Sequence, residues 1–248
     1  MNKRAQVTIF VIIAILLVVS VAMIFLFRDR ISPIIFPQSN EQKVKSYVES
    51  CIKDEGNFAL FVLGIRGGHI KLQEPYFSTN NFNTSYLYYY GENRVPSLAD
   101  MEKELSSVIT ENLEYCTNFS IFPDLSIQPG DISTETTINE NGVKISVQWP
   151  LVISKGDNTI QLQDFSAEFP IYLDIIQKQA TSIVLMEQAH PETIDNIYLL
   201  NLYSNITFTT YPDGTVVYIL RDSFSRIGDA PYFFLFANKL NLGSNSTI

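Results

Sequence analysis

A long, almost wholly apolar run lies near the start of the chain. From Val7 to Phe27 there are 21 residues, none of them charged, proline or glycine. At ~1.5 Å per residue, a helix of that length spans the ~30 Å hydrocarbon core of a bilayer. In water the same stretch would have no polar face to turn outward. The pattern therefore predicts a transmembrane helix over residues 7–27, after a tail of residues 1–6. A cleaved secretory leader would have a shorter apolar run of roughly 7–15 residues and small residues at its exit. Here the run leaves through Phe25-Leu26-Phe27-Arg28-Asp29-Arg30, which reads as a retained anchor. Lys3 and Arg4 on one side balance Arg28 and Arg30 on the other, and the free α-amine tips the count towards a cytoplasmic N-terminus. The large C-terminal part is then outside the cell.

Residues 28–40, with Pro33 and Pro37, read as a short stalk. From Glu41 the period becomes helical. Val44, Val48, Cys51, Ile52, Phe58, Ala59, Val62 and Leu63 form one stripe, with a turn missing near Glu55 and a weak point at Gly56. Gly64 or Gly67 should end this helix. Ile70 and Leu72 alternate with Lys71 and Gln73 as a short strand would. That strand is expected to pair with the tyrosine-rich run of residues 85–90. Pro96-Ser97 opens a second helix, with Ser97 as N-cap and an apolar stripe of Met101, Leu105, Val108, Ile109 and Leu113, ending at Cys116.

From Ile127 the period is two. Val143, Ile145, Val147, Trp149, Leu151 and Ile153 share one face of the clearest strand in the chain. Asn141-Gly142 is a turn signal that pairs this strand back to residues 131–138. Residues 159–169 return on its other side, with a bulge expected near Gln163-Asp164, and a bulge or locally unpaired edge at Pro150, which lacks a donor. Helices are expected over residues 170–187 and again from Pro191 to about Leu202, then strands over 205–211, 215–221 and 232–238. The fold class is α+β: an N-terminal transmembrane helix, then an ectodomain of antiparallel sheet packed with amphipathic helices. The ectodomain covers residues 41–240, divisible into 41–122 and 123–240, and a polar tail covers 241–248.

Charge narrows the partners. The chain holds 17 basic and 26 acidic residues. Setting aside Lys3, Arg4, Arg28, Arg30 and Asp29 leaves 13 and 25, so the ectodomain carries about −12. That excludes nucleic acid, which needs a basic surface. The expected partners are the bilayer, through Val7 to Phe27, and a second copy or another surface protein. Two cysteines, Cys51 and Cys116, lie in the ectodomain; in an oxidising compartment they would form one disulfide joining the first helix to the second. Two buried thiols are the alternative. Four Asn-x-Ser/Thr sequences, at Asn83, Asn118, Asn205 and Asn245, are possible glycosylation sites.

The opening residues Lys3-Arg4-Ala5-Gln6-Val7-Thr8, directly before the apolar run, resemble the class III (prepilin-type) signal of archaeal type IV pilin-like proteins. The resemblance implies cleavage between Ala5 and Gln6. Phe10 departs from the pattern, since pilins usually carry glutamate at the fifth mature position, where it registers subunits in a filament. More of the chain resembles uncharacterised single-pass archaeal surface proteins. The features are the same opening, Glu49-Ser50-Cys51, Gly67-Gly68-His69-Ile70, Tyr88-Tyr89-Tyr90, Pro96-Ser97, Cys116, and Pro231-Tyr232-Phe233 with Phe236-Ala237. That resemblance implies an anchored ectodomain and no particular activity.

Candidate chemistry is sparse. His69, His190, Cys51 and Cys116 are potential zinc ligands, but no two have a ligand-pair spacing. Nucleophile, nucleotide-loop and calcium-loop motifs are absent, and no catalytic residue, cofactor or metal is assigned. The leading expectation is a membrane-anchored extracellular structural or binding protein. The alternatives are a pilin-like filament subunit and an anchored surface enzyme.

Overall fold

The computed structural model describes residue 16 and residues 39–241. The chain divides into two compact units, residues 1–44 and 45–248. In the first, Leu16 is helical, and Ser39 caps helix α1 (Asn40–Ile65). The Gln42 backbone N–H donates to Ser39 Oγ at 3.2 Å and the Ser39 N–H donates to Gln42 Oε1 at 3.3 Å, a reciprocal capping box. The rest of the 7–27 run, the Ala5-Gln6 processing site, the stalk before residue 39 and the tail beyond Asn241 lie outside the described residues. Among the described residues no helix is long and apolar enough to cross a membrane.

Within the second unit, α1 buries Val48, Cys51, Ile52, Ala59, Leu60 and Leu63. Phe58, expected in that stripe, is instead 61% exposed. The missing turn explains the error. Gly56 sits in the stripe, and a Cβ there would lie 2.3 Å from the ring of Phe169, which covers the position. The buried face thus runs Ile52, Gly56, Leu60, Leu63, and Phe58 falls on the opposite side. The helix ends in a Schellman motif: Gly68 N–H donates to Leu63 O at 2.8 Å and Gly67 N–H to Gly64 O at 3.4 Å. Gly67, at φ +71°, takes the left-handed position.

One sheet has six strands in the order β1 (Tyr76–Ser78), β2 (Asn83–Tyr89), β10 (Ala230–Lys239), β9 (Thr215–Ile227), β8 (Asn205–Thr210), with β3 (Glu92–Asn93) beside β2. It is mixed, because β2 and β10 run parallel, whereas the sequence suggested antiparallel strands only. Residues 70–73 are not a strand either. The backbone N–H groups of Ile70 and Lys71 are taken by the Glu104 carboxylate, so they cannot join a ladder. The tyrosine strand pairs with β1 in their place.

The second sheet is antiparallel and built on β6 (Gly142–Lys155). On one side β5 (Ser133–Asn139) pairs with the first half of β6 and β4 (Ser126–Pro129) with the second. β7 (Asn158–Phe169) lines the other side along its length. The alternation along β6 is as expected, with all six apolar residues buried. The register shifts between Gln148 and Leu151, opposite Gln163. The bulge expected at Pro150, which has no N–H for the ladder, is therefore present: the additional residue belongs to β6 there, and not to β7 near Gln163-Asp164.

Helix α2 (Leu98–Cys116) lies along the free edge of β5. Glu102 accepts from the Ile138 N–H at 2.7 Å, and Ser106 Oγ accepts from the Thr136 N–H at 2.9 Å. Side chains thus occupy edge donors that would otherwise invite another strand. Helix α3 (Leu173–Ala189) buries Leu173, Ile176, Ala180, Ile183 and Val184. The helix expected from Pro191 shrinks to α4 (Asn196–Leu200), capped by Asp195. A side-chain acceptor at Asp195, rather than proline at the first turn, sets its start.

Candidate functional site

The Schellman turn at Gly67-Gly68 throws the chain off α1 and into an irregular loop over residues 69–75. A Cβ on Gly68 would lie 2.6 Å from Met101 and 2.7 Å from Pro96, so glycine lets this loop close on the start of α2. Glu104, in the second turn of α2, holds the loop down. Its Oε2 accepts from the N–H of Ile70 at 2.6 Å and of Lys71 at 3.1 Å, and its Oε1 meets His69 Nδ1 at 3.0 Å. Burial pushes this carboxyl up, but the hydrogen bonds from His69, Ile70 and Lys71 outweigh it and hold it below its ordinary 4.5. Arg94 pins the far end of the loop, donating from Nη1 to Pro75 O at 3.1 Å and from Nη2 to Glu74 O at 3.2 Å.

Between the loop, the segment of residues 92–96 and the first half of α2 lies a cleft of about 600 Å³. That is the size of a small-ligand site. Ile70, Pro75, Val95, Pro96 and Val108 supply apolar wall; His69, Lys71, Arg94 and Lys103 supply nitrogen donors; Glu92, Asp100 and Glu104 supply carboxylates. Asp100 is engaged by the N-cap. Ser97 Oγ donates to it at 2.6 Å and the Ser97 N–H at 3.2 Å, and this side-chain hydrogen bond is the main cause of its lowered pKa.

The His69–Glu104 pair orients an imidazole by its Nδ1, an arrangement that suits ligand contact or proton transfer at Nε2. The two serine hydroxyls of the cleft wall are turned to other partners, Ser107 to Glu111 at 3.1 Å and Ser85 to Arg66 O at 2.8 Å. Glu104→Ala should free the loop, at a cost of about 2 kcal/mol for the charged hydrogen bonds lost. Faster amide hydrogen exchange at Ile70 and Lys71, with α2 still protected, would be the signature.

A second polar cluster is fully enclosed. Glu187, on α3, is 0% exposed. It accepts from the Tyr218 hydroxyl of β9 and from Asn238 Nδ2 of β10. Asn238 Oδ1 in turn accepts from the Tyr88 N–H of β2 at 3.0 Å, at the register shift between the two parallel strands. Burial raises the Glu187 carboxyl to about 7 against the pull of both donors. This cluster ties a helix to three strands and opens on no cleft residue.

No protein-family profile, curated protein or solved structure matches the chain.

Cys51 and Cys116 are joined as a disulfide, with Cα atoms 6.0 Å apart, and couple α1 to the end of α2. Asn83, Asn118 and Asn205 are exposed. Asn83 opens β2, Asn118 caps the 3-10 turn Phe119–Ile121, and Asn205 opens β8. Asn245, Ala5 and Gln6 lie outside the described residues. His69 and His190 are far apart in sequence and role: His69 lines the cleft and His190 ends α3. Among the described residues no group of three or more His, Cys, Asp or Glu is placed to hold a metal ion. The cleft itself was not read from the sequence. Its one local signal was Gly67-Gly68 before His69, which marks a sharp exit from a helix.

Proposed function

We propose that the chain is a single-pass, membrane-anchored binding protein of the cell surface, whose ectodomain holds a small polar ligand beside α2. The cleft carries this reading: about 600 Å³, walled by three segments and fixed by Glu104 and Arg94. The placement at the membrane rests on the apolar run of residues 7–27. A disulfide between Cys51 and Cys116 fits an oxidising compartment outside the cytosol. Function then follows from position, with an acidic body presented to the surroundings and a preformed hollow to select what it retains.

Two measurements test the placement. Ile15→Arg puts a charge near the middle of the run, where it costs about 3 kcal/mol, and should release the protein from the membrane fraction. Protease added to intact cells should remove the ectodomain. Normal fractionation of the variant, or protection of the ectodomain, would oppose the reading. The pilin-like alternative rests on Lys3-Arg4-Ala5-Gln6. It requires an intact mass beginning at Gln6, and a retained Lys3 opposes it.

A further inference from the structure

We infer that the cleft beside α2 selects an anion: a small molecule carrying a carboxylate or phosphate group. The inference rests on the binding reading above and adds the chemistry of the ligand. In an ectodomain of about −12, three of the few basic side chains, Lys71, Arg94 and Lys103, are gathered in one cleft with His69. The lining's three cations are matched by three carboxylates, so the decisive point is which hydrogen-bonding groups are already occupied. Of the three carboxylates in the lining, two are already committed to the protein. Glu104 is filled by His69 and two backbone N–H groups, and Asp100 by Ser97.

The cations keep donors free. Arg94 is positioned by two carbonyl oxygens, which fix its plane and use two of its five N–H donors. Lys71 reaches Glu111 only at 4.0 Å, with both side chains well exposed, a pairing that binds weakly. Among the described residues the Lys103 side chain makes no hydrogen bond and no ion pair within 4.0 Å, and its charge acts on Asp100 from farther away. Among the described residues Glu92 is the one carboxylate of the lining with no hydrogen bond or ion pair, and it opposes the cations. A single oxyanion between Lys103 and Arg94 is the ligand this set completes.

The test uses the full chain in detergent micelles, titrated calorimetrically at low salt with inorganic phosphate, with glucuronate and with neutral glucose. Binding of phosphate alone identifies a phosphate ligand, of glucuronate alone a carboxylate ligand, and of both an oxyanion site without further preference. Each supports the inference if Lys103→Gln weakens affinity about tenfold while Lys144→Gln, the same charge change on β6, does not. Equal affinity for glucose, no anion binding at ~10 mM, or an anion affinity indifferent to Lys103→Gln would overturn it. Equal binding of glucose would leave the surface binding protein standing with a neutral ligand. Failure of that broader reading shows separately, in the fractionation of Ile15→Arg.

Discussion

Replacing both cysteines, Cys51→Ala with Cys116→Ala, should cost about 4 kcal/mol of stability. The two residues are 65 apart in sequence, and closing a loop of that size removes much conformational freedom from the unfolded chain. For a body of about 200 residues the loss corresponds to a fall in melting temperature of about 12 °C. Alanine is the right replacement because Cys51 is buried, and serine there would add an unpaired hydroxyl to the cost. Because the constraint acts on the unfolded state, α1 and α2 should still pack as before. Met101, Leu105, Ile109 and Leu113 form the buried face of α2, and that packing does not depend on the bond. The check is chemical unfolding of the native and doubly substituted chains, with the reduced native chain as a third sample. A loss under ~1 kcal/mol in both altered samples would mean that the bridge restrains nothing the fold does not already hold.

What the sequence revealed and what it hid have a common cause. Periodicity reports a residue's relation to one buried face. It located α2 and β6, whose faces are uniform over many residues. Capping chemistry is equally local, so Ser97 could be named in advance, and its reciprocal bonds with Asp100 are present. The errors fall where a distant residue decides. Phe169 covers Gly56 and turns the α1 stripe, so Phe58 points away. Glu104 consumes the N–H groups of Ile70 and Lys71, so an alternating segment is a loop. Asn238 meets Tyr88 across 150 residues, and no local pattern announces a parallel pairing of that separation. The cleft is of this second kind. Its walls come from three segments, and its fixing bonds run from Glu104 and Arg94 to backbone atoms, which carry no sequence signal.

Glu187→Gln should change the pH dependence of stability, because the native carboxyl titrates at about 7 and not at its ordinary 4.5. Burial is the main cause, and the Tyr218 and Asn238 donors only moderate it. Below pH 4.5 the folded and unfolded chains both carry the proton, and the full contribution of this group to stability is present. As the pH rises through about 7, the enclosed carboxyl ionises and that contribution is lost. The difference between 4.5 and about 7 amounts to about 3 kcal/mol. Glu104, with its lowered pKa, acts in the opposite sense: its contribution is present above 4.5 and is lost as the pH falls further. The two effects therefore occupy separate windows. In the glutamine variant the amide can donate to the Tyr218 oxygen, which accepts as well as donates, and still accept from Asn238 Nδ2. It thus reproduces the protonated carboxyl, and the variant is expected to match the native chain to within about 1 kcal/mol near pH 5. Near pH 8, where only the native chain bears a buried charge, the variant should be the more stable by about 3 kcal/mol. Denaturant unfolding at several pH values reads this as two curves that diverge as the pH rises. Parallel curves would show that Glu187 stays ionised throughout, with the raised pKa and the enclosed cluster then both in error.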